Sequence, residues 1–449
     1  MEESRTGPRI LTIGHDVTMV PVKEPEELAP RDRVGLLVPG SRIYLDVVLS
    51  LLVRGIIPVP MDPHMTEAER RRILPGLDLT LIVDDPDLLE PLDFGWSPGD
   101  LPLGRPMHLT SGTTGTPKGV WSDVLSRHDA QELLSEEAEL WGFNHADRHL
   151  LVGPVHHSAP LRFASYTLLA GGQVVGFDNS GRQPSFDPAF LTQQINDHHP
   201  TSLFGAPTHI QRLFRYWETH GQPDLSSFRL VAHAGAPCPE STKRRLIDAC
   251  PPGSVWEFYG STEGQFTTCS SKAWEQHPGT VGRARPGRKL RVDEQGQFWC
   301  ATPEHARFTY FNDPEKTAAA WAENEFTVGD LGRIDADGFV YLDGRRDDLI
   351  ISGGVNVYPT EVEQVLGQYP GVVEVAVFAQ ADDEWGQRVC VALVGEVNLN
   401  EIKAYARSNL TPAKRPKTWH LVNALPRTPS GKIQRQVLAD GVPEIQQRH

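Results

Sequence analysis

Between Arg33 and Asp85 the chain alternates strand-like and helix-like segments, and this alternation constrains the fold more than any other feature. RVGLLVPGS reads as a buried strand closed by a Pro-Gly turn. Ser41 is placed to cap the helix RIYLDVVLSLLVRG, and Gly55 to end it. IIPVP reads as a second strand. TEAERRRILPGL followed by LTLIVDD repeats the helix-then-strand order. Strands separated by helices pair in parallel, so an α/β class is expected, with a largely parallel sheet covered by helices. No internal repeat and no low-complexity tract interrupts the pattern.

The last hundred residues have a different texture. PTEVEQVLGQY puts Val362, Val365, Leu366 and Tyr369 at helical spacing, VVEVAVFA and RVCVALVG are β-rich, and NEIKAYARSNL turns Ile402, Tyr405 and Ala406 to one side. TWHLVNALP closes as a strand. A compact α+β unit with its own core is therefore expected after the charged turn GRRDDLI. The expected division is a large domain over 1–344, a hinge at 345–347 and a small domain over 348–449.

Length supports more than one core: 449 residues at 39% hydrophobic content exceed one ordinary domain. A net charge of −15 argues against nucleic acid or an anionic membrane surface as the main partner, though not against a small anion held by local charge. The longest apolar run, YLDVVLSLLVRGIIPVP, is broken by Asp46, Arg54 and Gly55, so no membrane span is expected. MEESRTGPRILTIG lacks the pattern of a secretory signal, and the five scattered cysteines lack metal spacing. These features together lead to the expectation of a cytoplasmic protein.

Residues 109–120, LTSGTTGTPKGV, crowd hydroxyls, glycines and one cation into a loop. Gly112 and Gly115 let backbone turn tightly beside a ligand. Thr110, Ser111, Thr113 and Thr114 add hydroxyl donors, and Lys118 adds a positive charge. Such a loop suits a phosphate chain, but its spacing is not that of G-x-x-x-x-G-K-S/T. Alone, it reads equally well as a solvated turn. It is not alone: EFYGSTEG, GDLGRIDADGFVYLDGRRDDLIISGGVNVYP and PRTPSGKIQR follow in order.

With these blocks over roughly residues 34–440, the chain resembles the adenylate-forming superfamily of acyl-CoA synthetases, adenylation domains and luciferases. HAGAPCPESTKRRLID and the stretch after YGSTEG look closest to the CoA-ligase branch. The resemblance implies a large domain of helix-covered sheets and a small mobile lid. It also implies ATP- and Mg2+-dependent activation of a carboxylic acid, then transfer to CoA with release of AMP. By resemblance, the 110–119 loop holds the β- and γ-phosphates, Thr262 donates to the α-phosphate, and Glu263 helps bind Mg2+. Tyr259 would lie along the adenine ring, with Gly235, Ala236 and Pro237 on the nucleotide's other side. Asp330 would accept from the ribose hydroxyls, Arg345 would contact ribose and phosphate, and Asp347 marks the hinge. On their residues alone, Tyr259 is an ordinary buried aromatic, Asp330 a turn cap and the 344–350 run a solvated charged turn.

Lys432, in TPSGKIQR, would reach into the site as a point charge during adenylation and leave it when the small domain turns about the hinge. His157, in GPVHHSAPLRF, matches the acyl-gating position, while Gly353 and Gly354 would admit a thin pantetheine arm. Asp178, in FDNS, mimics an amino-group ligand but sits too late in the chain and reads as structural. Few residues precede RVGLLVPG, and the segment before the phosphate loop is short; these departures keep a carrier-protein thiol or an amine open as the acceptor in place of CoA. Family members are often dimers, so a homodimer is expected by resemblance alone.

Overall fold

The structure is a computed structural model that describes residues 23–110, 118–345, 348–352, 355–382, 385–427 and 433–441. Ser111, Gly112, Thr113, Thr114, Gly115, Asp347, Gly353, Gly354 and Lys432 lie outside the described residues. The first lobe follows the alternation in the sequence. β1 (Arg33–Leu36) leads to α1 (Arg42–Val53), β2 (Ile57–Pro60), α2 (Glu67–Ile73) and β3 (Leu81–Val83). β1 pairs in parallel with both other strands, in the order β2-β1-β3. Ser41 Oγ accepts from the Tyr44 N–H at 3.1 Å, and Gly55, at φ +72°, takes the left-handed turn beyond the helix end.

β4 (His108–Thr110) and β5 (Lys118–Trp121) form an antiparallel pair on either side of the phosphate-loop sequence. α3 (Arg127–Trp141) then leads into the main sheet. That sheet alternates β6 (Arg148–Leu151), α4 (Ser158–Leu169), β7 (Gln173–Val175), α5 (Pro188–His198), β8 (Ser202–Gly205) and α6 (Pro207–His220). It continues with β9 (Leu230–His233), α7 (Glu240–Ala249), β10 (Val255–Glu257), β11 (Thr267–Ser270) and β12 (Arg283–Ala284). The order is β12-β11-β10-β9-β8-β6-β7, parallel from β7 to β10 and antiparallel beyond. The carboxyl ends of β6, β8, β9 and β10 therefore share one edge, where open α/β sheets hold their ligands.

The C-terminal residues build a separate α+β unit. Val372–Asp382 pairs antiparallel with Gly386–Gly395, which also pairs in parallel with Thr418–Leu421. Val362, Leu366, Ile402 and Ala406 are buried against this sheet in a cluster drawn entirely from Ile350 and residues after it. Among the described residues, no helix is long and apolar enough to cross a membrane. All five cysteines are free thiols. Asp178 is structural as expected: its Oδ1 accepts from the Ser180 N–H, the Ser180 hydroxyl and the Arg182 N–H at 2.7–3.0 Å.

α1 carries the first core, with Val48, Leu49 and Leu51 fully buried. Leu49→Ala is expected to cost about 2–5 kcal/mol, because the cavity left behind adds to the lost transfer energy. Arg42→Ala, which removes only an exposed ion pair 3.7 Å from Asp46, is expected to cost less than about 0.5 kcal/mol. Urea unfolding of both variants checks the contrast.

Candidate active site

The site is assembled at the shared strand edge. After β10 the chain doubles back through Gly260–Gln265, with the Ser261 N–H donating to the Gly264 carbonyl at 2.8 Å. Thr262 and Glu263 are the two residues enclosed by that turn. Gly260 is required there: a Cβ would lie 2.7 Å from the Gly264 carbonyl oxygen. Tyr259, just before the turn, is buried, and its hydroxyl donates to Asp330 Oδ2 at 2.5 Å. Two residues expected on the same nucleotide are thus in direct contact. Asp330 opens the strand Asp330–Ile334, whose backbone pairs Asp330 with Arg345, so these two positions are neighbours as well.

Glu263 is also buried, and its Oε1 accepts from the Tyr310 hydroxyl at 2.7 Å. Tyr310 sits on a two-residue strand paired with β5, opposite Val120. Thr110 and Lys118 face each other where β4 and β5 flank the loop, with the Thr110 hydroxyl 3.4 Å from the Lys118 carbonyl. Lys118 Nζ pairs with Asp313 Oδ2 at 3.1 Å, while Asp313 Oδ1 accepts from the Lys316 N–H at 3.0 Å and caps the helix Pro314–Ala320. The hydrogen bond from Lys316, with Lys118 adding to it, holds the Asp313 carboxyl below the usual range. Tyr310 and Asp313 thus contact two of the expected site residues, and the sequence singled out neither; the Asp-Pro start of the helix was its one visible signal.

Gly235 follows β9 at φ +92°, bringing Gly235–Pro237 to the same edge as Tyr259. His157 is the residue before α4, and its ring meets that of His156 edge-on at 4.2 Å. The His156 carbonyl accepts from His108 Nδ1 at 3.2 Å, which ties the entry of α4 to β4. Behind these loops Lys243 is buried against Glu257 in a direct ion pair, with fully buried His233 alongside. Burial pushes the Glu257 carboxyl up while Lys243 opposes it, and burial holds His233 down at about 3.

Residues 107–301 match the family model described as AMP-binding enzyme, and 361–432 match its C-terminal domain. The chain is 30% identical over 456 residues to a feruloyl-CoA synthase from Amycolatopsis sp, covering 90% of this chain and 87% of that one. The ATP-bound MatB structure from Rhodopseudomonas palustris superposes with a TM-score of 0.76 at 26% identity, covering 92% of this chain and 89% of the other. Amide bond synthetase McbA from Marinactinospora thermotolerans shares the fold, with a TM-score of 0.77 at 23% identity over 92% and 90% of the two chains.

Burial holds His108 and His209 down at about 4 and His149 and His233 at about 3, so all four stay neutral in the folded chain at mild acidity. The unfolded chain binds protons to them below about pH 6.5, so stability is fully present above that value and is lost as pH falls toward 3–4. Each histidine contributes up to about 1.4 kcal/mol of loss per pH unit in that window. Urea midpoints measured between about pH 7.5 and about pH 5.5 should fall steeply; a flat profile would contradict the assignment.

Proposed function

Because the chain belongs to the AMP-binding enzymes, in the acyl-CoA ligase branch of the adenylate-forming superfamily, we propose that it converts a small carboxylic acid to an acyl-adenylate and then to an acyl-CoA thioester. In the first step a carboxylate oxygen attacks the α-phosphorus of ATP, the bond to the β-phosphate bridging oxygen breaks, and pyrophosphate departs with the electron pair. In the second, the CoA thiol attacks the acyl carbon, the acyl–oxygen bond breaks, AMP departs and the thiol proton is lost. Neither step needs a covalent protein nucleophile; both need positioning and charge neutralisation.

The observation that carries this reading is the pair of contacts that joins the site's segments, Tyr259 to Asp330 and Glu263 to Tyr310. The first fixes an aromatic wall and a ribose acceptor as one rigid unit. The second fixes a carboxylate beside the hairpin that carries Lys118, whose ammonium pairs with Asp313. Glu263 fits a hard divalent cation, being a buried oxygen donor bonded to a neutral hydroxyl. Mg2+ takes most of its ligands from phosphate and water, so a single protein carboxylate can serve it. When bound, Mg2+ supplies charge neutralisation on the phosphate oxygens.

Around that frame, Thr110, Lys118 and the 111–115 loop take the β- and γ-phosphates and Thr262 the α-phosphate. Gly235–Pro237 and Tyr259 enclose the base, and Asp330 and Arg345 take the ribose. His157 gates the acyl side. Lys432 enters with the small domain for adenylation, and rotation at Asp347 then brings Gly353 and Gly354 to the pantetheine arm.

Pyrophosphate release with ATP and Mg2+ over a panel of acids, with and without CoA and with products followed by mass, tests the scheme. A CoA-dependent thioester is the expected product. An adenylate that accumulates despite excess CoA, and disappears on adding an amine or a carrier-borne thiol, would replace CoA as the acceptor. Glu263→Gln should lower the adenylation kcat by on the order of 10²-fold and raise the Mg2+ concentration required. Lys432→Ala should lower adenylation by on the order of 10²–10³-fold, yet leave CoA transfer from preformed acyl-adenylate within a few fold. Equal loss in both half-reactions would remove Lys432 from its assigned step.

A further inference from the structure

Arg105, Arg162, Arg285 and Arg288 gather between α3, α4 and the turn Glu304–Ala306, where the carboxylates that pair with them are Glu136 and Glu137. Arg285 spans both carboxylates, at 2.6 Å to Glu136 and 2.9 Å to Glu137. Glu136 is shared further with Arg288 at 2.9 Å and His305 at 2.7 Å. Arg105 donates to two backbone carbonyls, of Ala306 at 3.4 Å and Arg307 at 3.1 Å. Arg162 is left with less. Its Nη1 is 3.8 Å from Glu137 Oε1, beyond hydrogen-bond distance, and its Nε is buried with no acceptor among the described residues. Four guanidiniums thus face two carboxylates: among the described residues Arg105 has no ion pair, and Arg162 has only the long one to Glu137. Burial pulls Arg105 down to about 10 and Arg162 below its ordinary value, as expected where cations are desolvated without enough counter-charge.

Arg162 is also well placed. It lies in the second turn of α4, whose N-cap is His157. Its guanidinium stands over the rings of Phe163 at 5.5 Å and Phe258 at 5.1 Å, and Phe258 immediately precedes Tyr259. Phe163 in turn stacks on Phe204 and Phe258, with centroids 5.4 Å and 6.2 Å apart. Tyr166, one turn further along the same side of α4, adds a phenol close enough to feel the charge of Arg162 and Arg105. The guanidinium therefore stands between α4 and the strand end that precedes Tyr259, with 24% of its side chain accessible. A planar fork of donors in such a setting matches a carboxylate.

We propose that Arg162 receives a second anionic group on the substrate, so that the acid activated here is a dicarboxylic acid held at its far end by Arg162 and adenylated at its near end. This rests on the adenylation reading above and narrows it to a substrate class. Arg105 supports the same end with its uncompensated charge, and Tyr166 provides a neutral hydroxyl one turn on.

Acid-dependent ATP–pyrophosphate exchange tests the proposal. Saturated α,ω-dicarboxylic acids are each compared with the monocarboxylic acid of equal chain length and with the diacid's monomethyl ester. The expected result is a kcat/KM for the best diacid on the order of 100-fold above that of its matched monoacid, with the monoester falling to the monoacid level. Arg162→Met should bring the diacid-to-monoacid ratio near unity, and Arg162→Lys should leave it intermediate. Wild-type enzyme that turns over monoacids or monoesters as well as diacids overturns the proposal, and so does a diacid preference that persists in Arg162→Met. The wild-type comparison stands by itself if the Met variant fails to fold. Exchange with monoacids but not diacids refutes the assignment of Arg162 and leaves adenylation intact; no exchange with any acid of either class overturns both.

Discussion

The hydroxyl of Tyr310 donating to Glu263 is the contact on which the site's geometry depends. Glu263 stands on a turn that follows β10 of the main sheet, whereas Tyr310 belongs to the small sheet of β4 and β5 that carries the phosphate-loop sequence. Without a link, the position of Glu263 relative to β4 and β5 would be set by loops alone. The hydrogen bond is buried, so water does not compete for it, and its loss would leave a desolvated carboxylate oxygen without that donor. Three residues on, Asp313 reaches back to Lys118 on the same small sheet. One short segment, from Tyr310 to Asp313, thus holds both the Glu263 carboxylate and the Lys118 ammonium.

The two buried charge systems behave differently, and the difference separates support from recognition. Lys243 and Glu257 are matched one to one behind the strand edge. Removing either partner leaves the other as a buried, unpaired charge, which is a packing constraint more than a binding device. The arginines around Glu136 and Glu137 are not matched. A surplus of cations inside a folded chain is unfavourable unless something supplies the missing anion, and an acid-activating enzyme meets anions at each turnover.

Much of the architecture was legible because it follows from local rules. The cap at Ser41, the turn at Gly55 and the parallel pairing of β1 with its neighbours were read from pattern alone, as was the independent core of Val362, Leu366, Ile402 and Ala406. Site positions such as Tyr259, Glu263 and Asp330 were legible only through their motifs, since a lone Tyr, Glu or Asp carries no signal of its own. Their mutual contacts were not legible. Tyr259 and Asp330 are separated by 71 positions, and Glu263 and Tyr310 by 47, so only the tertiary fold brings them together. Arg162 escaped notice for the same reason: an arginine in a helix reads as surface until its tertiary neighbours are known.

The charge state of the site follows from how the chain distributes its ionisable groups. Burial holds His108 and His209 down at about 4 and His233 at about 3, so all three are neutral near neutral pH. His156 is shifted the same way, chiefly by burial. The positive charge that remains comes from arginine and lysine, which do not titrate in that range. The fold that holds these groups in place loses stability as the buried histidines are forced to take up protons. Acid sensitivity of the fold is accordingly a property of its buried histidines, whose charged forms the core does not accommodate.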